Sequence, residues 1–178
     1  MIAAHLAAEV AGFPVFAYTI EHPQGLVLVD TGMIDSTPEL DAEWHPVPHP
    51  ENIPRDVLCV INTHLHFDHC GGNRLFPGVP IHVQAKELSN ADTIREWVDF
   101  PGATYVEHDG EAEVLPGIRL LPAPGHTDGH QVVLVDTPDG LRVLGGDVSP
   151  TERCLTRLGL VALTWLAHVE RPEVPRPN

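Results

Sequence analysis

The chain has 178 residues and is 43% hydrophobic, which fits one domain that buries roughly 70% of its unfolded surface. Its formal net charge of −15 and its single lysine, Lys86, argue against nucleic acid as a partner, because phosphate binding rests on Lys and Arg. No stretch reaches the roughly 18 uninterrupted apolar residues of a membrane span. The odd set Cys59, Cys70 and Cys154 lacks C-x-x-C spacing, so neither a disulfide framework nor a zinc knuckle is indicated.

The opening residues 1–16 are apolar without a basic start, and they read as a first helix or strand rather than a secretion signal. A reduced, cytoplasmic setting is the default expectation. Residues 13–20 and 26–30 read as strands around a hairpin turn, His22-Pro23-Gln24-Gly25, and Thr31-Gly32-Met33 follows as a tight turn. Residues 35–56 carry Pro38, Pro46, Pro48, Pro50 and Pro54, which excludes a long helix and predicts a surface loop. Its Trp44, His45 and His49 are placed to border a cleft. The run 57–62 is continuously apolar up to its last residue and reads as a buried strand. A further strand is expected at 80–84, and the best helix candidate is 85–98. Residues 104–106 and 118–121 read as strands, and 131–136 with 141–144 as a hairpin around Thr137-Pro138-Asp139-Gly140. A helix at 151–160, a last strand at 163–167 and a proline-rich tail at 171–178 complete the chain. No internal repeat is present, so residues 1–170 are taken as one domain. Strands without strict βα alternation favour two sheets with helices outside them.

At the end of the 57–62 strand, His64, His66, Asp68 and His69 place four metal-binding side chains within six residues. Neutral imidazole is a ready ligand near pH 7, and a neighbouring carboxylate adds a hard oxygen. Four such groups exceed what one tetrahedral ion takes from so short a segment, so the spacing suggests two ions side by side, as in hydrolytic two-metal sites. Three more candidates follow predicted strands: His126 after Pro124-Gly125, Asp147 after Gly145-Gly146, and His168 after Ala167. Small residues beside each permit close backbone approach. His130 reads as a supporting or core histidine, and Asp30 as a residue of turn or supporting hydrogen bonds rather than a ligand.

With Asp30-Thr31-Gly32 before the motif, this ordered set resembles the metallo-β-lactamase superfamily. The stretches VLVDTGM (27–33), THLHFDHCGGN (63–73) and LPGIRLLPAPGHTDGHQ (115–131) are similar to its quorum-quenching branch, the N-acyl homoserine lactonases. The resemblance implies an α/β (α+β) fold, an αββα sandwich of two mixed sheets with outer helices and metals at the edge between them. It implies two divalent ions, zinc being the expected metal. His64, His66 and His126 would hold the first ion. Asp68, His69 and His168 would hold the second, and Asp147 would bridge. Two such ions can hold a bridging hydroxide that attacks a lactone carbonyl. Asp68 is the catalytic candidate, able to bind metal and pass a proton to the leaving group. The expected partner is a small-molecule substrate, without nucleic acid or membrane.

One departure falls on the substrate side. The lactonase branch carries a tyrosine three residues after the bridging aspartate, where this chain has Pro150, and the spacing from Asp147 to His168 is short for that branch. Sibling reactions therefore stand beside lactone opening: glyoxalase II-like thioester hydrolysis, β-lactam hydrolysis and phosphotriester hydrolysis. A non-catalytic metal-binding domain is a further alternative. A di-iron redox centre is disfavoured, because that branch has Glu where this chain has His66.

Overall fold

Two β-sheets enclose one apolar layer in a computed structural model of the protein, which describes residues 1–148. The first three strands, β1 (Ile2–Val10), β2 (Phe13–His22) and β3 (Gly25–Val29), form an antiparallel meander. The short β4 (Val47–Pro48) pairs with β1 at the outer edge. Strands β5 (Cys59–Ile61), β6 (Pro80–Gln84) and β7 (Thr104–His108) then add in parallel beside β3, giving the order β4-β1-β2-β3-β5-β6-β7. The second sheet is built from β8 (Ala112–Leu115), β9 (Ile118–Pro122), β10 (Gln131–Thr137) and β11 (Gly140–Leu144), in the order β11-β10-β9-β8. Its described pairings are all antiparallel, so the expected pair of mixed sheets is one mixed and one antiparallel.

The period-2 geometry of strands explains why the central strands are apolar at every position. Val27, Val29, Cys59 and Ile61 point at Ile118, Leu120, Val133, Val135 and Leu144 of the other sheet. Leu28 and Val60, one residue out of step, point the opposite way and pack with Ile81, Phe76 and Phe100. Each such fully buried side chain contributes on the order of 1.5–3 kcal/mol of transfer free energy. The alternation therefore locks the register on both faces at once.

Two expectations need correction. The helix expected over 85–98 is absent. A 3₁₀ turn at Glu87–Ser89 is followed by a break, and only Arg95–Val98 is α-helical (α3). Asn90 causes the break: its Oδ1 accepts from the Asp92 backbone N and its Nδ2 donates to Glu87, so the side chain competes with helical bonding. Conversely, the proline-rich loop holds a seven-residue helix, α1 (Pro38–Trp44). Proline at its first position costs no hydrogen bond, and Thr37 Oγ1 caps it by accepting from Leu40 N. The short α2 (Phe67–Cys70) begins inside the motif and carries Asp68 and His69. Strand β8 was not expected, its short sequence alternating around Glu113. The elements expected at 151–160, 163–167 and 171–178, with Pro150, Cys154 and His168, lie outside the described residues.

Near the first sheet's β7 edge, His82 Nδ1 and His108 Nε2 are 2.9 Å apart with ring planes 10° apart. The 5.2 Å between ring centres is that contact lengthened by a ring radius at each end, so the rings meet edge to edge and share one N–H···N bond. Burial, with His108 adding to it, holds His82 down at about 4. A ring whose folded pKa lies below its unfolded value of about 6.5 destabilises the fold as pH drops, because the unfolded chain takes up the proton first. With chelator present, the melting temperature of the chain is expected to fall between pH 7 and pH 4.5, and His82→Leu to flatten that fall. An unchanged slope in the variant would refute the contribution.

Candidate metal centre

The parallel run β3-β5-β6 aligns three strand C-termini at one edge of the first sheet. Asp30 leaves β3, Asn62 to His64 leave β5, and Glu87 follows β6. The second sheet delivers its loops to the same place. Ala123 to His130 connect β9 to β10, and Gly145 to Asp147 leave β11. Gly146 is required there: its φ is +52°, and a Cβ would lie 2.5 Å from Thr63 Oγ1. This close approach brings Asp147 over the motif.

The rings of His66, His69 and His126 crowd around His64, with centres 4.7, 4.3 and 4.7 Å away. Two groups of ligand atoms result, each within 4.8 Å internally: His64 with His66 and His126, and His64 with His69 and Asp147. His66 Nδ1 and His126 Nε2 are 2.9 Å apart. Asp147 belongs to the second group and also reaches toward the first. Its Oδ1 is 3.2 Å from His69 Nε2 and its Oδ2 is 3.4 Å from His126 Nε2. Asp68 joins neither group. Its Oδ2 lies 3.8 Å from His69 Nε2, at the rim. His168 lies outside the described residues. His130 also belongs to neither group, although its ring centre is 5.2 Å from that of His64.

The electrostatics favour a cation. His64 Nε2 and His69 Nε2 are buried without a hydrogen-bond partner, and the His69–Asp147 approach lacks hydrogen-bond alignment. Buried nitrogens are rarely left this way unless another atom fills the space they face. Burial opposes charge on His69, but Asp68, Asp30 and Asp147 outweigh it and hold the ring well above its ordinary value. Burial would push the Asp147 carboxyl up, yet His69 above all, with His126 and His130, pulls it well below the usual range. His64 and His66 are pushed down, by burial first and by neighbouring rings next, so both remain neutral ligands. Burial, then His126 and His69, holds His130 down at about 4. Imidazole nitrogens and a carboxylate around one small volume are the donor set that zinc-type ions take. The residues fit such a metal.

A polar layer beneath the rings holds them. Asp30 is buried at φ +58°, a strained conformation for a residue with a side chain. Its Oδ1 accepts from Thr63 N at 2.7 Å, and its Oδ2 accepts from Thr63 Oγ1 at 2.8 Å and pairs with His69 Nδ1 at 2.9 Å. Fixing Nδ1 turns Nε2 of His69 toward Asp147. Gln131 ties the sheets together: its N donates to Thr63 O and its Nε2 to Asn62 O. Asn62 and Asn73 exchange amide bonds, and Thr31 Oγ1 donates to Asn73 Oδ1. Sequence reasoning singled out Asp30 but not Thr63, Asn62, Asn73, Glu87 or Gln131. The one available signal was their polarity beside apolar strands, since buried amides need partners.

Comparison with known proteins shows the family of the chain. The family model described as the metallo-β-lactamase superfamily matches residues 10–165. An N-acyl homoserine lactonase of a Bacillus species is 36% identical over 152 residues, covering 72% of this chain and 61% of that protein. The Bacillus cereus N-acyl homoserine lactonase is 36% identical over 163 residues, covering 78% and 65%. The chain thus spans less than two thirds of the length of these relatives. Among solved structures, an N-acyl homoserine lactone hydrolase with the product N-hexanoyl-L-homoserine at its catalytic metal centre has a TM-score of 0.70 and 28% identity, covering 88% of this chain and 78% of that one. A Bacillus thuringiensis lactonase variant with N-decanoyl-L-homoserine at its active site gives 0.67 and 32%, covering 82% and 68%.

Replacing Asp30 with Asn strands at least one of its buried donors. The loss of stability is expected to be about 1–3 kcal/mol by urea denaturation in chelator, with unchanged slope. A variant as stable as the parent would show that the carboxylate does not hold the layer together.

Proposed function

The chain belongs to the metallo-β-lactamase superfamily, and we propose that it is a hydrolase holding two divalent ions, zinc by preference, that opens the ring of an N-acyl homoserine lactone. The observation that carries this reading is Asp147, with one carboxylate oxygen toward His69 and the other toward His126. A carboxylate so placed is a natural bridge between two ions. His64, His66 and His126 would hold the first. His69, Asp68 and His168 would complete the second. Such ions supply a nucleophilic water at neutral pH and a Lewis acid for the carbonyl.

The chain's own groups do the rest. Asp68 stands beside His69, its Oδ2 3.8 Å from Nε2, and in this reading it takes a proton from the attacking water and passes it to the departing ring oxygen. Asp30 keeps His69 oriented through its Nδ1. Phe67, between His66 and Asp68, faces Trp44 of α1 with ring centres 6.4 Å apart, and Trp44 is 41% exposed. This aromatic pair beside the ligands offers an apolar wall for an acyl chain. Lactone opening creates a carboxylate, and the chain's net charge of −15 disfavours retention of that product.

The test is a zinc-supplemented preparation assayed by proton release with acyl homoserine lactones, S-lactoylglutathione, a chromogenic cephalosporin and an aryl phosphotriester. The lactones are expected to turn over fastest, with longer acyl chains preferred. Preference for another substrate would replace lactone opening with that sibling reaction. Fewer than about one bound ion per chain would sink the dinuclear reading. Asp147→Ala is expected to lose both bound metal and hydrolysis, and a variant that keeps two ions would show the bridge is misassigned.

A further inference from the structure

We infer that Glu87 is a positioning residue for the metal centre, its buried carboxylate clamping the 64–66 segment to the His126 loop and setting the spacing of the His64, His66 and His126 nitrogens. The inference rests on the hydrolase reading above.

Glu87 is 0% exposed, and it forms no ion pair among the described residues. A carboxylate buried without a cation must be met by hydrogen-bond donors. Its donors come from three segments. Oε1 accepts from the Leu65 backbone N at 3.1 Å and from Asn90 Nδ2 at 3.1 Å. Oε2 accepts from Thr127 Oγ1 at 2.8 Å. Leu65 is the residue between His64 and His66, and Thr127 follows His126. One carboxylate thus spans the two chain segments that supply the first ligand group.

Leu65 N and Thr127 Oγ1 have no other hydrogen-bond partner among the described residues. Strand β5 ends at Ile61, so the buried amide of Leu65 has no ladder partner and depends on Glu87. The His126 loop is pressed onto the same residue. A Cβ on Gly129 would lie 2.5 Å from both Glu87 N and Glu87 Oε2, so only glycine lets the loop approach this closely. His66 Nδ1 and His126 Nε2 meet at 2.9 Å across this junction. Ligand constellations tolerate displacements of only about 0.5 Å, which makes their spacing sensitive to the clamp.

A clamp that only held the fold together would change stability and leave the affinity of the site intact. The decisive measurement is zinc affinity of the full chain by chelator competition, with the visible spectrum of the cobalt-loaded protein and the melting temperature in EDTA measured in parallel. Glu87→Met removes every acceptor. Glu87→Gln keeps the bridge, its Oε1 accepting from Leu65 N and its Nε2 donating to Thr127 Oγ1. Thr127→Val removes one arm alone, and Thr127→Ser retains it. The expected result is a loss of affinity of about 10–100-fold in Glu87→Met and Thr127→Val, with altered cobalt spectra. Near-parental behaviour is expected in Glu87→Gln and Thr127→Ser. Should Glu87→Met fail to fold, the Thr127 pair decides. Parental affinity and spectra in Thr127→Val, or equal losses in Thr127→Val and Thr127→Ser, would overturn the clamp alone. A parent chain that binds no zinc would overturn the hydrolase reading together with it.

Discussion

Imidazole rings crowded around one point leave some of their buried nitrogens without a partner. Around His64 three other rings lie with centres 4.3 to 4.7 Å away, and the buried Nε2 atoms of His64 and His69 have no donor or acceptor of their own. Each such buried orphan costs on the order of 1–3 kcal/mol. Left free, the rings would turn away from each other toward water or carbonyls. Two of the rings are fixed through Nδ1, His64 beside Thr63 Oγ1 and His69 against Asp30, while His66 Nδ1 and His126 Nε2 meet each other.

The fold makes this possible through where its strands end. Parallel strands put all their C-termini at one edge, and loops leaving that edge need no regular hydrogen bonding of their own. The second sheet contributes the β9–β10 loop and the end of β11 at the same seam. A seam between two apolar sheets is dry, so the polar groups entering it must be paired with each other. Gln84, Asn62, Asn73 and Gln131 do this in a chain of amides: Gln84 Nε2 donates to Gln131 Oε1, Gln131 Nε2 donates to Asn62 O, and Asn62 exchanges bonds with Asn73. Such a network is costly if any member is missing, and when complete it makes the two sheets a rigid platform for the rings.

The legible part of the sequence was what repeats at short range. The run 57–62 and its neighbours showed strands because burial on both faces demands apolar residues at every position. The histidine motif was legible because its ligands are neighbours in the chain. The platform was not. Glu87 meets Thr127 forty residues away, and Gln131 meets Asn62 sixty-nine away, and no spacing rule connects such pairs. The same blindness explains the misjudged helix over 85–98. Its composition suits a helix, but Glu87 is drawn into the platform and Asn90 folds back onto it, so tertiary contacts override local preference.

The charges explain why the platform contains carboxylates rather than amides alone. Asp30 lies behind His69, Glu87 lies behind the 64–66 segment, and Asp68 and Asp147 border the ligand nitrogens. No lysine or arginine pairs with any of these four among the described residues. Four carboxylates gathered at one seam repel one another unless positive charge lies among them. Asp68, Asp30 and Asp147 together hold His69 well above its ordinary value despite the burial of the ring. A single imidazolium offsets only one charge, whereas the two divalent ions of the proposed function carry four. The gathered carboxylates and the crowded ring nitrogens together favour a cation at the seam. The same residues that hold the ligands in place also make the seam favourable for the ions they would hold.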